Sequence, residues 1–123
     1  MGMILKRVLK SLKYAFRGWW YVFKHEENFR IQMFVAFFVA IAAIYFPLSK
    51  QERIIVIFMI FFVLLMEMIN TALEYLIDLL KPRLHHYVSL VKDIMAGAVL
   101  LTAFCAVILG LFIFFPYLVR LVK

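Results

Sequence analysis

An uncharged run at 94–119 limits the possible structures of this chain more than any other feature of its sequence. A helix needs about 20 apolar residues to cross the roughly 30 Å hydrocarbon layer of a bilayer, and this run exceeds that length. The whole chain is 67% hydrophobic, whereas soluble domains are roughly 45–50% apolar. One small soluble core cannot hide so much apolar surface. We therefore predict an all-α membrane protein.

Three transmembrane helices are predicted, at 29–46, 54–80 and 94–119. Pro47 ends the first span and Pro82 follows the second, because proline cannot continue the helical hydrogen-bond ladder. The length of 123 residues corresponds to a single domain, 1–123.

The N-terminal segment 3–28 has a helical period with two different faces. Such a helix lies in the membrane interface, and the rings of Trp19 and Trp20 favour the level of the headgroups. The apolar face contains Leu5, Leu9, Leu12, Phe16, Trp19 and Phe23. The basic face contains Lys6, Lys10, Lys13, Arg17 and Lys24.

Lysine and arginine are distributed unevenly between the two ends of the predicted bundle. The segment up to Arg30 and the loop 81–93 together hold ten of them, and the opposite end holds four. Because cytoplasmic loops are enriched in these residues, we expect a cytoplasmic N-terminus and a C-terminus outside. The net charge of +7 then attracts anionic lipid headgroups, and we expect no nucleic-acid partner.

The second predicted span carries Glu67, Asn70, Glu74 and Asp78 within one narrow arc of the helix. An acid at membrane depth is costly and indicates a functional site. The alternative, a polar clamp between helices, fits Glu74 and Asp78 better than Glu67. At about 1.5 Å per residue, Glu67 lies roughly 20 Å from Ile54, inside the hydrocarbon layer. Glu74 lies about 10 Å further, near the cytoplasmic interface.

Lys92 and Asp93 are predicted at that same interface, at the N-terminal end of the third span. A helix N-terminus and a lysine together attract phosphate. Carboxylates can hold Mg²⁺ against substrate phosphates, and a separate carboxylate can accept the proton of an attacking hydroxyl. The sequence has neither a GxxxxGK[ST] loop nor a Gly-rich kinase loop. This arrangement suits phosphoryl transfer, and if the chain binds ATP, it does so by an unusual type of nucleotide site.

The run Glu67-Met68-Ile69-Asn70-Thr71-Ala72-Leu73-Glu74, followed by Asp78 and by Lys92-Asp93, resembles the small prokaryotic diacylglycerol kinase/undecaprenol kinase family. The resemblance includes the segment 26–30 and covers nearly the whole chain. It implies an ATP-dependent lipid kinase of the bacterial inner membrane. It also implies a homotrimer with active sites at the subunit contacts.

By this resemblance Glu67 is expected to be the general base, and Asn70 is expected to support the site. Glu26 and Glu74 are expected to bind Mg²⁺. Glu26 is preferred to the adjacent Glu27 as the ligand, because three residues then separate it from Arg30 of the motif. The positions expected to contact the nucleotide are Arg7, Tyr14, Glu26, Glu74, His85, Lys92 and Asp93.

The substrate and the class of protein each have an alternative. The segment 92–99 and the pair Phe115-Pro116 resemble the undecaprenol kinase branch, so undecaprenol is expected and diacylglycerol is the alternative. An oligomeric pore would also explain a polar stripe in a packed bundle. An assembly subunit would explain the helices, but it gives no reason for Glu67 and Glu74 to converge with Lys92.

Overall fold

The computed structural model is built of α-helices. It describes residues 1–81, 83 and 85–123, and the side chain of His85 lies outside that description. The helices are α1 (Gly2–His25), α2 (Glu27–Tyr45), α3 (Lys50–Leu79) and α4 (His85–Val122). Three of them, α2, α3 and α4 from His86 onwards, are long and apolar enough to cross a membrane. The predicted architecture, an N-terminal helix followed by three spans, is confirmed.

The start of α3 is determined by a capping box. Ser49 Oγ accepts a hydrogen bond from the Glu52 N–H at 3.2 Å, and Glu52 Oε1 accepts one from the Ser49 N–H at 2.9 Å. These bonds satisfy two N–H groups that have no partner inside the helix. As a result α3 begins at Lys50, four residues before the predicted start of the second span.

The start of α4 corrects one prediction about phosphate binding. α4 begins at His85, nine residues before the predicted start at 94. Lys92 and Asp93 therefore lie about two turns inside the helix and not at its N-terminal end. The electric field of a helix terminus falls off within the first turn. The prediction that the N-terminus of this helix adds to the attraction of Lys92 for phosphate is therefore wrong. Any attraction of Lys92 for a phosphate would come from its own charge and not from the helix terminus.

α1 and α2 are joined through Glu26, whose backbone is extended (φ −111°, ψ 110°). Arg30 Nη1, from the first turn of α2, donates hydrogen bonds to the carbonyl oxygens of Phe23 and Lys24, at 2.9 and 2.8 Å. These carbonyls belong to the last turn of α1, where partners inside the helix run out. Arg30 therefore fastens the end of α1 to α2 and holds the junction that carries Glu26.

α3 is the central helix, because α2 and α4 both pack against it. A cluster of buried apolar residues, formed by Leu48, Val56 and Ile113, lies where the α2–α3 turn meets α4. The Tyr117 hydroxyl of α4 donates to Glu52 Oε1 at 2.7 Å. These contacts hold together the end of the bundle that lies opposite the junction at Glu26.

Large apolar side chains cover the outside of the bundle. Phe112, for example, is 77% exposed, and many phenylalanine, leucine and isoleucine side chains of the three spans are exposed with it. In α1, the leucines and most aromatic residues of the apolar face are exposed. Phe23 is half-buried and Val22 is buried. This distribution suits a chain whose spans face lipid tails and whose first helix faces the membrane interface.

Candidate active site

Glu67 is the buried acid of the α3 stripe, with only 4% of its surface exposed. Gln32 Nε2, on α2, donates a hydrogen bond to Glu67 Oε1 at 3.0 Å. The adjacent Thr71 is also buried, and its hydroxyl donates to the Glu67 backbone carbonyl at 3.0 Å. Glu67 is thus held by one bond from the neighbouring span. Among the described residues, no hydrogen bond reaches its second oxygen, Oε2.

Gln32 is the site residue that the sequence analysis missed. Its amide follows Arg30 by two residues and directly precedes the apolar run 33–44 of α2, where an unpaired polar group is expensive. An amide at this position was the available signal. It could not reveal that Glu67 is the partner, because the two residues come together only when α2 packs against α3.

Two buried carbonyl oxygens flank Glu67. Asn70 Nδ2 donates to Glu74 Oε1 at 3.2 Å, one turn further along α3. This leaves Asn70 Oδ1 buried, as is Gln32 Oε1, and neither oxygen has a hydrogen-bond partner among the described residues. A buried acceptor without a donor costs about 1–3 kcal/mol. The two oxygens are therefore candidate contact points for a ligand or a metal ion.

Glu26 brings a third carboxylate to this region. Glu26 is half-buried, and both Glu26 and Glu74 are close enough to Glu67 to act on it electrostatically. In the part of the chain that the structure describes, no three His, Cys, Asp or Glu side chains form a ready metal cluster. Mg²⁺ usually takes only one or two carboxylates and fills its other positions with phosphate oxygens and water. The side chains of Glu26, Glu74 and Asn70 offer oxygen ligands of the type that Mg²⁺ accepts, so this region is a candidate metal site.

Lys92 is joined to α3 by an ion pair. Its Nζ lies 2.7 Å from Asp78 Oδ1, and both side chains are partly exposed. Glu74 also lies within electrostatic range of Lys92, so the ammonium group is near the Glu74 end of the stripe. Exposed ion pairs of this kind are weak. Lys92 can therefore exchange Asp78 for a phosphate at little cost.

A pair of tyrosines links α1 to α3 beside the site. The hydroxyl oxygens of Tyr21 and Tyr75 lie 3.0 Å apart, and Glu26 and Glu74 are both within electrostatic range of Tyr75. Neither tyrosine could be assigned a role from the sequence. Their bond supports the approach of the Glu26 junction to α3.

The remaining predicted positions are not brought together with Glu67 in the described part of one chain. Arg7 and Tyr14 are exposed on α1, roughly 28 and 18 Å along the helix from Glu26 at about 1.5 Å per residue. The Arg17 guanidinium lies 5.7 Å from the centre of the Tyr14 ring. Asp93 is exposed on α4. The side chain of His85 lies outside the described part of the structure.

A buried carboxylate in an apolar helix, held by an amide of the next span and lying near two further acids, marks a functional site in a membrane-spanning protein. Comparison with known sequences gives the particular family. Residues 13–114 match the family described as Prokaryotic diacylglycerol kinase, and the chain belongs to that family. It is therefore a lipid kinase of bacterial membranes, as predicted.

Three relatives illustrate the range of the family. An undecaprenol kinase of Bacillus subtilis is 36% identical over 114 residues, which are 93% of each chain. A diacylglycerol kinase of Synechocystis sp. is 35% identical over 119 residues, 96% of this chain and 68% of the relative. A diacylglycerol kinase of Escherichia coli is 24% identical over 102 residues, 83% of this chain and 84% of the relative.

Proposed function

We propose that this protein is an undecaprenol kinase, which transfers the γ-phosphoryl group of ATP to the hydroxyl of undecaprenol in the presence of Mg²⁺. The observation that carries the chemistry is the buried Glu67 carboxylate, with one oxygen bonded to Gln32. The choice of lipid is supported by the Bacillus subtilis undecaprenol kinase, which this chain matches over nearly the whole of both lengths.

In the proposed reaction the lipid hydroxyl oxygen attacks the γ-phosphorus. The bond between this phosphorus and the bridging oxygen breaks, ADP leaves, and the hydroxyl proton passes to Glu67 Oε2. Phosphoryl transfer depends chiefly on alignment and on charge stabilisation. Gln32 therefore contributes by holding the carboxylate of Glu67, and Asn70 contributes by orienting Glu74.

Glu26 and Glu74 are proposed to hold the Mg²⁺ ion together with the nucleotide phosphates. When bound, the ion neutralises charge on the phosphoryl group being transferred. The half-buried position of both acids and the unpaired Asn70 Oδ1 support this assignment. Asn70 thereby connects the metal end of the site to the Glu67 end.

Lys92 is proposed to bind the nucleotide phosphates, and Arg7, Tyr14, His85 and Asp93 are proposed as further nucleotide contacts. Arg7 and Tyr14 lie far along α1 from Glu26 in the same chain. A homotrimer with its sites at the subunit contacts would let α1 of another subunit supply them. We propose that arrangement for the assembled enzyme.

The proposed orientation has the N-terminus and the α3–α4 connection in the cytoplasm of a bacterium, and the C-terminus outside the inner membrane. The excess of lysine and arginine at the end of the bundle that carries Glu26 and Lys92 supports it. ATP is a cytoplasmic substrate, so this orientation also gives the nucleotide access to Lys92.

Diacylglycerol is the second candidate substrate. It is favoured by the Synechocystis relative, which is named diacylglycerol kinase and is 35% identical to this chain. In both candidate reactions the acceptor is the hydroxyl of a membrane lipid. The same residues would therefore serve either substrate.

The test is transfer of labelled γ-phosphate from ATP to undecaprenol and to diacylglycerol, offered separately to the purified protein in detergent micelles. We expect label in undecaprenyl phosphate with Mg²⁺ and none after chelation by EDTA. Label only in phosphatidic acid would establish the second candidate instead. If neither lipid is labelled, the proposal is contradicted. The control is the Bacillus subtilis enzyme, which has to be active in the same assay.

A further inference from the structure

The amide of Gln32 has two polar ends, and contacts in the structure account for one of them. Its nitrogen donates to Glu67 Oε1, and its oxygen is buried without a partner among the described residues. Reversing the amide would not solve this problem, because an ionised carboxylate is an acceptor only and would then face a second acceptor. The bond to Glu67 therefore orients a free carbonyl oxygen beside the proposed base.

Gln32 also borders an apolar groove of about 490 Å³ between α2, α3 and α4. The other residues that line this groove are aliphatic residues, methionine, phenylalanine and glycine, so Gln32 is the single polar side chain there among the described residues. Along α3 the lining runs from Ile55 to Leu64, roughly 14 Å at about 1.5 Å per residue. A groove of this shape, with one acceptor near the acid, suits an apolar chain that ends in one hydroxyl.

We propose that Gln32 receives the lipid alcohol: its carbonyl oxygen accepts a hydrogen bond from the substrate hydroxyl, and the first part of the lipid chain lies in the groove. This inference rests on the proposed function, because it assumes that the protein phosphorylates a lipid alcohol. It adds a substrate contact on α2 to a site whose other proposed residues lie on α1, α3 and α4 or at the α1–α2 junction.

The hydrogen bond between the substrate hydroxyl and Gln32 Oε1 is made in the bound state before transfer and is broken during the transfer step. An alcohol has one hydroxyl proton, which cannot bond fully to Gln32 and to Glu67 at the same time. The hydroxyl therefore turns from Gln32 Oε1 to Glu67 Oε2 once the phosphoryl donor is in line. A contact made before the transition state affects substrate affinity more than it affects kcat.

The experiment compares the binding of undecaprenol with that of its methyl ether, which has the same chain but cannot donate a hydrogen bond. Both are measured with the full-length protein in detergent micelles without nucleotide, using tritiated ligands. A neutral hydrogen bond corresponds to about three- to tenfold in affinity, so the wild type should prefer the alcohol by that factor. Gln32→Met and Gln32→Asn should both lose the preference. Ile31→Met, at the adjacent exposed position, should keep it.

Equal binding of the two ligands by the wild type would overturn the inference without the use of any variant. A preference that persists in both Gln32 variants would also overturn it, since Glu67 would then be the acceptor. The phosphorylation assay is run on the same preparation. If undecaprenol is not phosphorylated, the proposed function fails; if it is phosphorylated and the preference is absent, only the Gln32 contact fails.

A second pair of variants tests the groove. Ala106 lines the groove, whereas Cys105 is exposed beside it on α4. Ala106→Phe should weaken binding of both ligands at least fivefold with the oligomer intact, and Cys105→Phe should leave binding unchanged. If Ala106→Phe instead dissociates the oligomer, the groove is a subunit contact and the lipid chain does not lie there.

Discussion

Glu67→Gln keeps the size of the side chain and its hydrogen bond to Gln32 while removing its basicity. Because general-base catalysis contributes about 10²–10⁴-fold, we expect kcat to fall by at least 100-fold. Nucleotide affinity and oligomer size should persist. Steady-state phosphorylation of the lipid and size-exclusion chromatography measure these properties. Glu52→Gln, at the other end of the same helix, should keep its activity. A loss below about tenfold would make Glu67 a structural residue.

Glu26→Gln and Glu74→Gln should each raise the Mg²⁺ concentration needed for half-maximal activity. Each change removes one carboxylate from the proposed Mg²⁺ site, where the ion would be shared with nucleotide phosphates. Activity titrated against Mg²⁺ at saturating ATP gives the result. Glu27→Gln is the matched control, because Glu27 is the exposed neighbour of Glu26. If Glu27→Gln shifts the Mg²⁺ titration and Glu26→Gln does not, Glu27 is the metal ligand instead of Glu26.

Lys92→Met should raise KM for ATP by about tenfold or more, since it removes the proposed charged contact with the nucleotide phosphates. Insertion into the membrane should not change, because Lys92 is partly exposed and its pair with Asp78 is weak. Lys81→Met alters an exposed lysine just after α3 and is the control. An unchanged KM for ATP in Lys92→Met would exclude this lysine from the nucleotide site.

Single residues show where the sequence was informative. The polar stripe of Glu67, Asn70 and Glu74 on α3 could be predicted, because residues at this spacing in a helix lie on one face. The ion pair of Lys92 with Asp78 and the bond of Gln32 to Glu67 could not be predicted. Both are contacts between helices, and periodicity along one helix contains no information about its neighbour.

At the scale of the elements, the capping box at the start of α3 should be measurable as stability. Ser49→Ala removes the acceptor for the Glu52 N–H, and loss of such a cap costs about 1 kcal/mol. We expect a lower Tm in detergent with lipid kinase activity preserved, because Ser49 lies far from Glu67 along α3. Ser89→Ala, at an exposed position inside α4, should not lower Tm. An equal Tm for Ser49→Ala and the wild type would show that the cap is replaced by water.

The number of helices could be predicted, but two of their starting points could not. Apolar runs of sufficient length have only one stable form in lipid, and this physical constraint made the three spans predictable. The segment before position 94 is polar, so hydropathy gave no sign that α4 extends back to His85. The start of α3 depends on Ser49 and Glu52, whose capping pattern stands outside the apolar run.

For the whole molecule, the proposed orientation predicts which end an impermeant reagent reaches. In a Cys105→Ser background, Lys123→Cys should react with an impermeant thiol reagent on intact spheroplasts. Lys10→Cys should react only after the membrane is opened. Because the single natural cysteine is removed, the signal comes from the introduced thiol alone. Labelling of Lys10→Cys on intact spheroplasts would reverse the proposed topology.

The two ends of the bundle are built differently. The end with the α2–α3 turn has a buried apolar cluster, a capping box and the bond from Tyr117 to Glu52. The opposite end has the polar groups of the site and weaker, partly exposed contacts such as that between Lys92 and Asp78. We therefore expect side chains to rearrange on nucleotide binding at the end with the site, where weak contacts such as the Lys92–Asp78 pair can be exchanged.

The acids near Glu67 also affect what happens after the reaction. An alcohol is neutral, whereas a phosphate monoester carries about −1.5 to −2 charges at pH 7. Glu26 and Glu74 lie close enough to Glu67 to interact with it, and Lys92 is paired with Asp78. In the proposed site these acids repel the charged ester once ADP has left, whereas Lys92 attracts it. Release of the phosphorylated lipid is therefore expected to depend on the balance of these charges, and Lys92→Met should shift that balance towards release.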